Sequence, residues 1–371
     1  MIIGVPRERK TLEKRVALTP DGAHQLVEHG HRVLIEENAG LGADFSNDAY
    51  HEAGAEIVST LKDVWTKSEL VVKVKEPHET EYEFFRPGLA LFDYLHLASM
   101  PDVTKAMLDG GMTGIAYELV QLPDGRLPLL EPMSEVAGKL SVLNGSFYLL
   151  SQNGGRGVLL GGAVGVPRCN VTIIGAGTSG RAACEMAFGM GAQVTVLDIN
   201  TAKLEALKFH FSNQITTAYS TPAAIRRILQ TTDLLIGAVL VPGAAAPRII
   251  TREMIKEMPQ GSVFVDISID QGGCAETIRA TSLEDPVYQE EGVLHYGVCN
   301  MPAQTARTST MALTSATLPY ITQLADSGIQ GALLKYPLLR NALNTHKGKL
   351  TNQAVSTAVG VEYTSIDAAL G

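Results

Sequence analysis

A glycine motif and a downstream acid are the residues of this sequence best suited to chemistry. The motif, Gly-x-Gly-x-x-Gly at 175–180, directly follows the apolar, β-branched run 171–174. In that position the first glycine permits a tight strand-to-helix turn, the second lets backbone approach a pyrophosphate, and the third lets the helix pack closely on the strand. The helix N-terminus then offers unpaired N–H groups to phosphates. The pattern therefore indicates a phosphate-binding turn.

The acid, Asp198, ends a second apolar run at 194–197, about twenty residues beyond the motif, where a carboxylate accepts hydrogen bonds from a ribose 2′-OH. A glycine motif alone is weak evidence, because it is also typical of an ordinary turn. Here the motif lies between a strand and a helix, and a second strand ending in an acid follows at the expected distance. This combination predicts a dinucleotide-binding unit. Because a 2′-phosphate would face the carboxylate of Asp198, the sequence favours NAD over NADP as the cofactor.

Other polar residues follow apolar runs in the first third of the chain. Lys73 and Lys75 lie on one face of a predicted strand, at the end where doubly wound folds bind ligands. Carboxylate- or carbonyl-binding lysines and a solvated strand end explain the pattern equally well. His96 follows the run 91–95 at the same predicted sheet edge, so a catalytic role and a core or capping role are equally supported. Arg15, in a charged loop, would suit a substrate carboxylate, because its fork binds both oxygens.

Two further acids end a predicted strand in the middle of the chain. Asp266 closes the strand, and Asp270 lies just beyond it, before Gly272 and Gly273. One interpretation is that Asp270 handles a proton beside a bound nicotinamide ring. The other is that it initiates a turn before two glycines, and position alone supports this at least as well.

Alternating apolar runs and helical patterns predict the elements that position these residues. The expected strands are 2–5, 32–35, 70–74, 89–94, 113–117, 171–174, 193–197, 234–238, 262–268 and 293–296. The expected helices are 20–29 with Thr19 as N-cap, 103–109, 134–150, 179–190, 203–211, 222–229, 252–258, 310–327 and 329–343. No strand is expected beyond about Ser309. Strands that are apolar along their whole length are typical of sheets covered on both faces. Their alternation with helices indicates parallel sheets flanked by helices.

The predicted fold is α/β, with two doubly wound Rossmann-like domains and a cleft between them. The substrate domain is expected to be discontinuous, 1–133 plus 306–371, and the dinucleotide-binding domain, 134–305, to be inserted into it. The cleft is the expected active site. A glycine-rich segment at 154–165 lacks the ending of a P-loop and is expected to form an apolar β-hairpin that packs on a neighbouring subunit.

Composition excludes several classes of function. The chain has 371 residues and a net charge of −9 with no basic block, which disfavours nucleic-acid binding. Its four cysteines show no paired spacing, so reduced thiols and no metal site are expected. The N-terminal apolar run is too short for a signal peptide, and the longest apolar stretches, 158–166 and 234–241, are too short for a membrane helix. We therefore expect a cytoplasmic protein.

Taken together, these segments resemble the alanine dehydrogenase family, which is related to the NAD-binding portion of nicotinamide nucleotide transhydrogenase. The matching stretches are 3–6, 15–20, 72–77, 94–98, 132–138, 155–162, 233–243, 265–273 and 296–302. The chain departs from the family pattern at 163–164, where Ala-Val replaces Val-Pro, and at 303–306, where Ala-Gln-Thr-Ala replaces Gly-Ala-Val-Pro. These departures concern the hairpin and domain closure, and neither touches the proposed catalytic residues.

The resemblance implies reversible, NAD-dependent oxidative deamination of L-alanine to pyruvate and ammonium. It implies that Arg15 and Lys75 hold the carboxylate and carbonyl of pyruvate, and that His96 hydrogen-bonds the substrate oxygen. His96 and Asp270 would share the proton transfers. The implied contacts with NAD are the motif residues Gly175, Gly177, Thr178, Ser179 and Gly180, together with Ser134, Asp198, Lys203, Ser220, Val239, Leu240, Ile267, Asp270, Val298, Asn300 and Met301. A homo-oligomer, a hexamer in the family, is also implied.

Two other functions fit parts of the sequence. An NAD(H)-binding subunit that docks on a membrane transhydrogenase would need a separate membrane partner, and it would have no use for Lys75 and His96. Another amino- or imino-acid oxidoreductase, such as a lysine-pathway dehydrogenase, would need further basic residues for a longer dicarboxylate substrate. Glu118 could ligate a divalent ion, but one carboxylate is a poor metal signal.

Overall fold

Two units of structure divide the chain, and each is built on one sheet. The computed structural model describes residues 1–239 and 246–371. Unit 1 comprises Met1–Met133 and Ala303–Gly371, and unit 2 comprises Ser134–Pro302. The sequence-based division places the boundaries after residues 133 and 305.

The elements are numbered along the chain. The strands are β1 (Ile2–Val5), β2 (Arg32–Glu36), β3 (Glu56–Val58), β4 (Leu70–Lys75), β5 (Ala90–Tyr94), β6 (Thr113–Ala116), β7 (Asn170–Ile174), β8 (Gln193–Asp198), β9 (Thr216–Tyr219), β10 (Leu234–Gly237), β11 (Val263–Asp266), β12 (Val287–Glu290), β13 (Val293–Tyr296), β14 (Leu343–His346) and β15 (Lys349–Leu350). The helices are α1 (Pro20–Glu28), α2 (Asn47–Glu52), α3 (Leu61–Lys67), α4 (Pro101–Asp109), α5 (Glu131–Tyr148), α6 (Thr178–Gly189), α7 (Thr201–His210), α8 (Pro222–Leu229), α9 (Arg252–Lys256), α10 (Ala306–Ser327), α11 (Ile329–Lys335), α12 (Pro337–Asn341), α13 (Gln353–Val359) and α14 (Ile366–Leu370).

Unit 1 has an eight-stranded sheet in the order β15-β14-β6-β5-β4-β1-β2-β3. The strands from β1 to β6 pair in parallel, while β14 pairs antiparallel with β6, and β15 with β14. Helix α1 begins as predicted, because the Thr19 side chain accepts a hydrogen bond from the N–H of Gly22 and Pro20 takes the first helical position. The carboxyl ends of the parallel strands therefore meet at one edge of this sheet.

The C-terminal segment differs from the prediction of helices without strands. The expected helix 329–343 is interrupted, because Pro337 removes a backbone N–H and holds Tyr336 in an extended conformation (φ −112°, ψ 103°). The strand β14 then follows. This strand was not predicted because its residues are mostly polar. Thr345 is fully buried and donates to Met112 O, and the His346 ring hydrogen-bonds the Thr113 hydroxyl. Hydrogen bonds to residues 233 positions earlier in the chain thus satisfy the polar side chains of this strand.

Unit 2 has a seven-stranded sheet in the order β12-β13-β11-β10-β7-β8-β9. The strands pair in parallel except for the edge strand β12, which is antiparallel to β13. The strand order reverses between β7 and β10, and ligands of open α/β sheets bind beside the carboxyl ends of the strands at such a point. The predicted α/β fold of two Rossmann-like units is confirmed, with the correction that both sheets are mixed at an edge.

The glycine-rich segment forms less of a hairpin than predicted. One antiparallel bridge, Ala163 to Val166, closes a tight turn in which Gly165 has φ +78°. No helix among the described residues combines the length and apolar character needed to cross a membrane.

Candidate functional site

The glycine motif forms the turn from β7 to α6. Gly175 has φ +108°, and a Cβ there would lie 2.2 Å from the carbonyl oxygen of Ala238. A Cβ on Gly180 would lie 1.8 Å from the carbonyl oxygen of Gly175. A Cβ on Gly177, in contrast, would meet no atom within 4 Å. The first and third glycines are therefore required by the fold, whereas the second borders open space that a ligand can use.

The first turn of α6 also lacks a side-chain cap. Gly177 precedes this helix in an extended conformation and offers no side chain to the N–H groups. The helices α7, α8 and α9 of the same unit are capped by the side chains of Asn200, Thr221 and Thr251. A helix N-terminus with uncapped N–H groups and adjoining open space suits a phosphate.

The carboxylate of Asp198 lies beside this turn. Its Oδ2 accepts a hydrogen bond from the N–H of Ala176 at 2.6 Å, and Oδ1 accepts one from Asn200 at 2.7 Å. Each carboxylate oxygen has a second lone pair, so the group can also accept from a ribose hydroxyl. Ser220 joins the same edge, since its N–H donates to the carbonyl oxygen of Asp198, and Lys203 lies in the first turn of α7.

The helix α5 packs against the start of α6. A Cβ on Gly138 would lie 2.2 Å from the carbonyl oxygen of Ser179, so the two helices approach closely only because this residue is glycine. Ser134 lies one turn earlier on α5 and is half-buried, and Thr178 and Ser179 form the first turn of α6. The predicted contacts of the motif region therefore lie on elements that pack together.

The remaining predicted cofactor residues follow the next strands of the sheet. Val239 comes directly after β10, Ile267 and Asp270 lie in a 3₁₀ turn after β11, and Val298 follows β13. Further along the same loop, Asn300 has φ +63° and Met301 is buried. Leu240 lies outside the described residues. The structure thus collects these residues at the carboxyl edge of the sheet of unit 2.

The predicted substrate residues of unit 1 also share a strand edge. Lys75 ends β4 and is the register partner of Tyr94, which ends β5. The rings of Tyr94 and His96 stack, with centroids 5.9 Å apart and an angle of 6° between the planes. His96 adopts a left-handed conformation (φ 47°, ψ 35°), and such backbone strain is concentrated at functional sites.

Glu118, which follows β6, holds His96 in place. Its Oε1 accepts from the His96 backbone N–H at 2.7 Å and lies 3.8 Å from Nδ1 of the ring, while Oε2 accepts from the Leu95 N–H at 3.3 Å. From the sequence alone, this acid was only a weak indication of a metal site. Its position after the strand next to β5 was the signal that could have placed it beside His96.

Arg15 is buried and bound by Glu13. The Glu13 carboxylate accepts from Nε at 2.7 Å and from Nη2 at 2.5 Å, and Nη1 lies 3.2 Å from the sulfur of Met133. Burial lowers the pKa of Arg15, but the hydrogen bonds and charge of Glu13 outweigh burial and raise it overall. The guanidinium is therefore permanently charged and held in one plane, and sequence reasoning did not anticipate this pairing.

Lys73 has a different environment from Lys75. It is only 1% exposed, and its Nζ lies 3.3 Å from Glu8 and 3.2 Å from Glu81. The interpretation of both lysines as a solvated strand end is therefore wrong for Lys73, which is an internal ion-pair residue. Lys75 is half-buried at the strand end, where a ligand can be bound.

The cysteines are free thiols, of which Cys169, Cys184 and Cys274 are buried and Cys299 is exposed. Burial raises the pKa of the Cys169 and Cys184 thiols to about 12, so both are protonated at neutral pH. Over residues 1–239 and 246–371, no group of three or more His, Cys, Asp or Glu side chains is arranged to hold a metal ion.

Comparisons with known proteins agree with this architecture. The family description "Alanine dehydrogenase/PNT, N-terminal domain" matches residues 4–137, and "Alanine dehydrogenase/PNT, C-terminal domain" matches residues 141–353. An alanine dehydrogenase of Staphylococcus haemolyticus is 51% identical over 371 residues, which are 100% of this chain and 99% of that protein. One of Methanococcus maripaludis is 50% identical over 371 residues, covering 100% of both chains.

Solved structures show the same relationship. A structure titled L-alanine dehydrogenase matches with a TM-score of 0.94 and 46% identity, covering 97% of this chain and 99% of that one. A transhydrogenase from Sinorhizobium meliloti matches with a TM-score of 0.81 at 24% identity, covering 95% of this chain and 100% of that one, which shows a shared fold. With both family domains matched and half of all residues identical along the whole length of its relatives, this chain belongs to the alanine dehydrogenase family.

Proposed function

We propose that this protein is an NAD-dependent L-alanine dehydrogenase. It oxidises L-alanine to pyruvate and ammonium, and it catalyses the reverse reaction. The observation that carries the proposal is the joint presence of a dinucleotide-type glycine turn ending in Asp198 and a strand edge that gathers Lys75, Tyr94 and His96, in a chain of this family.

The cofactor fits the residues present in unit 2. The open space at Gly177 and the uncapped start of α6 would take the pyrophosphate, and Asp198 would accept from the ribose 2′-OH. The loops with Val239, Ile267 and Met301 would line the nicotinamide end. A bound NAD⁺ supplies a hydride acceptor at ring carbon C4. The Asp198 side chain already accepts two backbone hydrogen bonds and would lie against a 2′-phosphate, so we expect NAD to be preferred over NADP.

The substrate is held by charge. The carboxylate of alanine would bind the cations of Arg15 and Lys75, and Lys75 would also polarise the carbonyl of pyruvate. The amine must be neutral for the Cα–H bond to be released as hydride. The resulting iminium adds water, and a base takes a proton from the added water and passes it to the nitrogen. The C–N bond then breaks and the remaining hydroxyl proton goes to the departing nitrogen, which gives pyruvate and ammonium. His96 and Asp270 would share these proton transfers, and Glu118 holds the backbone of His96 through its N–H.

Turnover by the purified protein tests this proposal. We expect NADH oxidation that requires both pyruvate and ammonium and that is much slower with NADPH. Lys75→Ala should lower kcat/KM by about 10²–10³-fold, because a charge that contacts the substrate is lost. The matched control is Lys105→Ala, since Lys105 is an exposed lysine of the same unit that pairs with Asp109. Tight NADH binding without turnover would instead favour a carrier subunit, and near-native activity of Lys75→Ala would remove Lys75 from the site.

We also propose that the protein is a cytoplasmic homo-oligomer. Unit 2 has an apolar groove of about 410 Å³ on one face, lined by Leu143, Asn144, Ser146, Phe147, Leu150, Val158, Leu159, Leu160 and Met190. Phe147 is 53% exposed and Leu159 is 65% exposed, and the nearby turn adds Val164 and Val166. Exposed apolar surface of this kind is typical of subunit contacts, and a second copy of the chain is the proposed occupant.

A further inference from the structure

The turn after β11 is closed around one buried carboxylate. Asp266 ends the strand with no exposed surface, and its Oδ1 accepts from the N–H of Ser268 at 2.8 Å. Its Oδ2 accepts from the N–H of Cys274 at 2.7 Å. Gly272 and Gly273, with φ of +93° and +79°, supply the left-handed backbone that brings the chain back to this side chain. One side chain therefore fixes both ends of the turn.

Two residues of this turn are buried in the protein, and two others remain accessible to a ligand. Ser268 and Ile269 are buried, whereas Ile267 is half-buried and Asp270 is exposed. The accessible residues are the two to which the proposed function assigns contact with the cofactor. Their placement therefore depends on the buried residues, and the buried residues depend on Asp266.

The same turn holds the neighbouring loop. The hydroxyl oxygen of Ser268 accepts from the N–H of Val239 at 3.0 Å. The carbonyl oxygen of Gln271 accepts from the N–H of Ala246 at 2.9 Å. Val239 and Ala246 are the described residues on either side of 240–245, so the turn binds the chain both before and after that stretch.

The packing leaves little freedom for Asp266. Its register partner is Gly237, the last residue of β10, and a Cβ on Gly237 would lie 2.7 Å from Asp266 Oδ1 and 2.5 Å from the sulfur of Cys274. Burial raises the pKa of Asp266 above its ordinary value, and the hydrogen bonds from Cys274 and Ser268 oppose this only in part. The carboxylate thus sits where only a glycine on the adjacent strand can accommodate it.

We infer that Asp266 and Ser268 are positioning residues for the dinucleotide, acting through the Ser268 hydroxyl to set the backbone at Val239 together with the turn that carries Asp270. The inference rests on the proposed function, which assigns Val239, Ile267 and Asp270 to the cofactor site. Neither Asp266 nor Ser268 is required to touch the ligand. Their effect is to make two adjacent loops a single preorganised surface, which lowers the ordering cost of binding.

The test compares two buried serines on either side of β11, Ser268 in the turn after the strand and Ser262 just before it. Ser268→Ala removes the acceptor of the Val239 N–H. The matched control is Ser262→Ala, because Ser262 lies just before the amino end of β11, is fully buried, and donates to Thr232 O at 3.0 Å. Ser262→Ala deletes one buried hydroxyl hydrogen bond, whereas Ser268→Ala also deletes the contact of its hydroxyl with the Asp266 carboxylate. Both should therefore lower Tm, and Ser268→Ala should lower it more. NADH affinity of the full-length protein is measured by fluorescence titration, and kcat with pyruvate and ammonium at saturating NADH.

We expect Ser268→Ala to raise the Kd for NADH by about tenfold, because the Val239 N–H loses its buried acceptor. It should lower kcat by a smaller factor than Asp266→Asn, because the backbone bonds of Asp266 still hold the turn. Ser262→Ala should leave the Kd within about twofold of wild type, since its bond lies at the opposite end of the strand. Asp266→Asn should raise the Kd and also lower kcat, because an amide turns a donor toward one of the two backbone N–H groups and displaces Asp270. If Asp266→Asn does not fold, the serine pair still decides the question.

An unchanged Kd for Ser268→Ala, or equal changes in both serine variants, would overturn the inference while leaving the proposed function intact. Wild-type protein that binds no NADH, or that turns over without ammonium, would contradict the proposed function itself. The two failures are therefore distinguishable in one set of measurements.

Discussion

Buried charge in unit 1 is arranged around Lys73. Its ammonium pairs with Glu8 and Glu81, and Glu81 also accepts from the indole N–H of Trp65 at 3.2 Å. Asp93 is fully buried in the same region, yet neither of its carboxylate oxygens has a hydrogen-bond partner. Three acids thus share one lysine, and the acid without donors is the one that should hold a proton.

The charge state of Asp93 makes stability depend on pH. Burial raises its pKa well above the ordinary value, and the negative charges of Glu118, Glu8 and Glu76 add to this, while Lys73 opposes it. In the unfolded chain the carboxyl ionises at its ordinary pKa, so the folded state binds more protons above that pH. Stability from this group is therefore complete at low pH and is lost as pH rises toward the raised pKa.

Asp93→Asn tests this account, because asparagine is neutral at every pH. We expect the variant to gain free energy of unfolding relative to wild type as the buffer changes from mildly acidic to mildly alkaline. Urea denaturation across that range measures the difference. A variant that is less stable than wild type by the same amount at every pH would show that Asp93 is an ionised partner of Lys73.

At the scale of elements, different glycines of the strand–turn–helix motif serve the fold and the binding of the dinucleotide. Gly177→Ala places a methyl group in open space, so the protein should fold with unchanged Tm but bind NADH at least about tenfold more weakly, because backbone must approach the pyrophosphate. Gly180→Ala drives a methyl group into the carbonyl of Gly175 and should destabilise by about 1–3 kcal/mol or more.

Gly189→Ala is the matched control on the same helix. A Cβ there meets nothing within 4 Å, so alanine should stabilise α6 by about 0.5–1 kcal/mol and leave NADH affinity unchanged. Thermal unfolding and NADH titration of the three variants give the comparison. Loss of NADH binding in Gly189→Ala, or its retention in Gly177→Ala, would contradict the assignment of the pyrophosphate to this turn.

The elements that the sequence predicted are those whose signal is local. Apolar runs located the central strands, and Thr19 with Pro20 located the start of α1. The strand β14 escaped prediction, because its polar residues are satisfied by hydrogen bonds to Met112 and Thr113, more than two hundred residues earlier. A local sequence pattern cannot predict a hydrogen-bond partner that is so distant in the chain.

The candidate site shows the same division. Lys75, His96 and Asp270 end strands or follow them closely, and that position is visible in sequence. The residues that hold the site, such as Glu118 on His96 and Asp266 on the turn of Asp270, were not predicted as such. Their role depends on which strands lie side by side, and strand order is a property of the folded sheet.

At the scale of the whole molecule, the distribution of exposed apolar residues is uneven. Of the fifteen large hydrophobic residues that are exposed in the described part of the chain, six lie at the groove of unit 2 or on the turn beside it: Leu143, Phe147, Leu159, Val164, Val166 and Met190. Burying such side chains against another subunit contributes about 25 cal/mol per Å² of apolar surface. The concentration on one face therefore favours self-association through that face.

Phe147→Ser and Leu159→Ser should weaken assembly, because each places a hydroxyl where an apolar contact is proposed. The matched control is Phe209→Ser, since Phe209 is 71% exposed on α7 of the same unit and does not line the groove. Sedimentation velocity should show smaller species for the two groove variants and the wild-type assembly for the control. Equal behaviour of all three variants would move the subunit contact to another face, because Phe147→Ser and its control Phe209→Ser make the same substitution and differ only in where the apolar surface is removed.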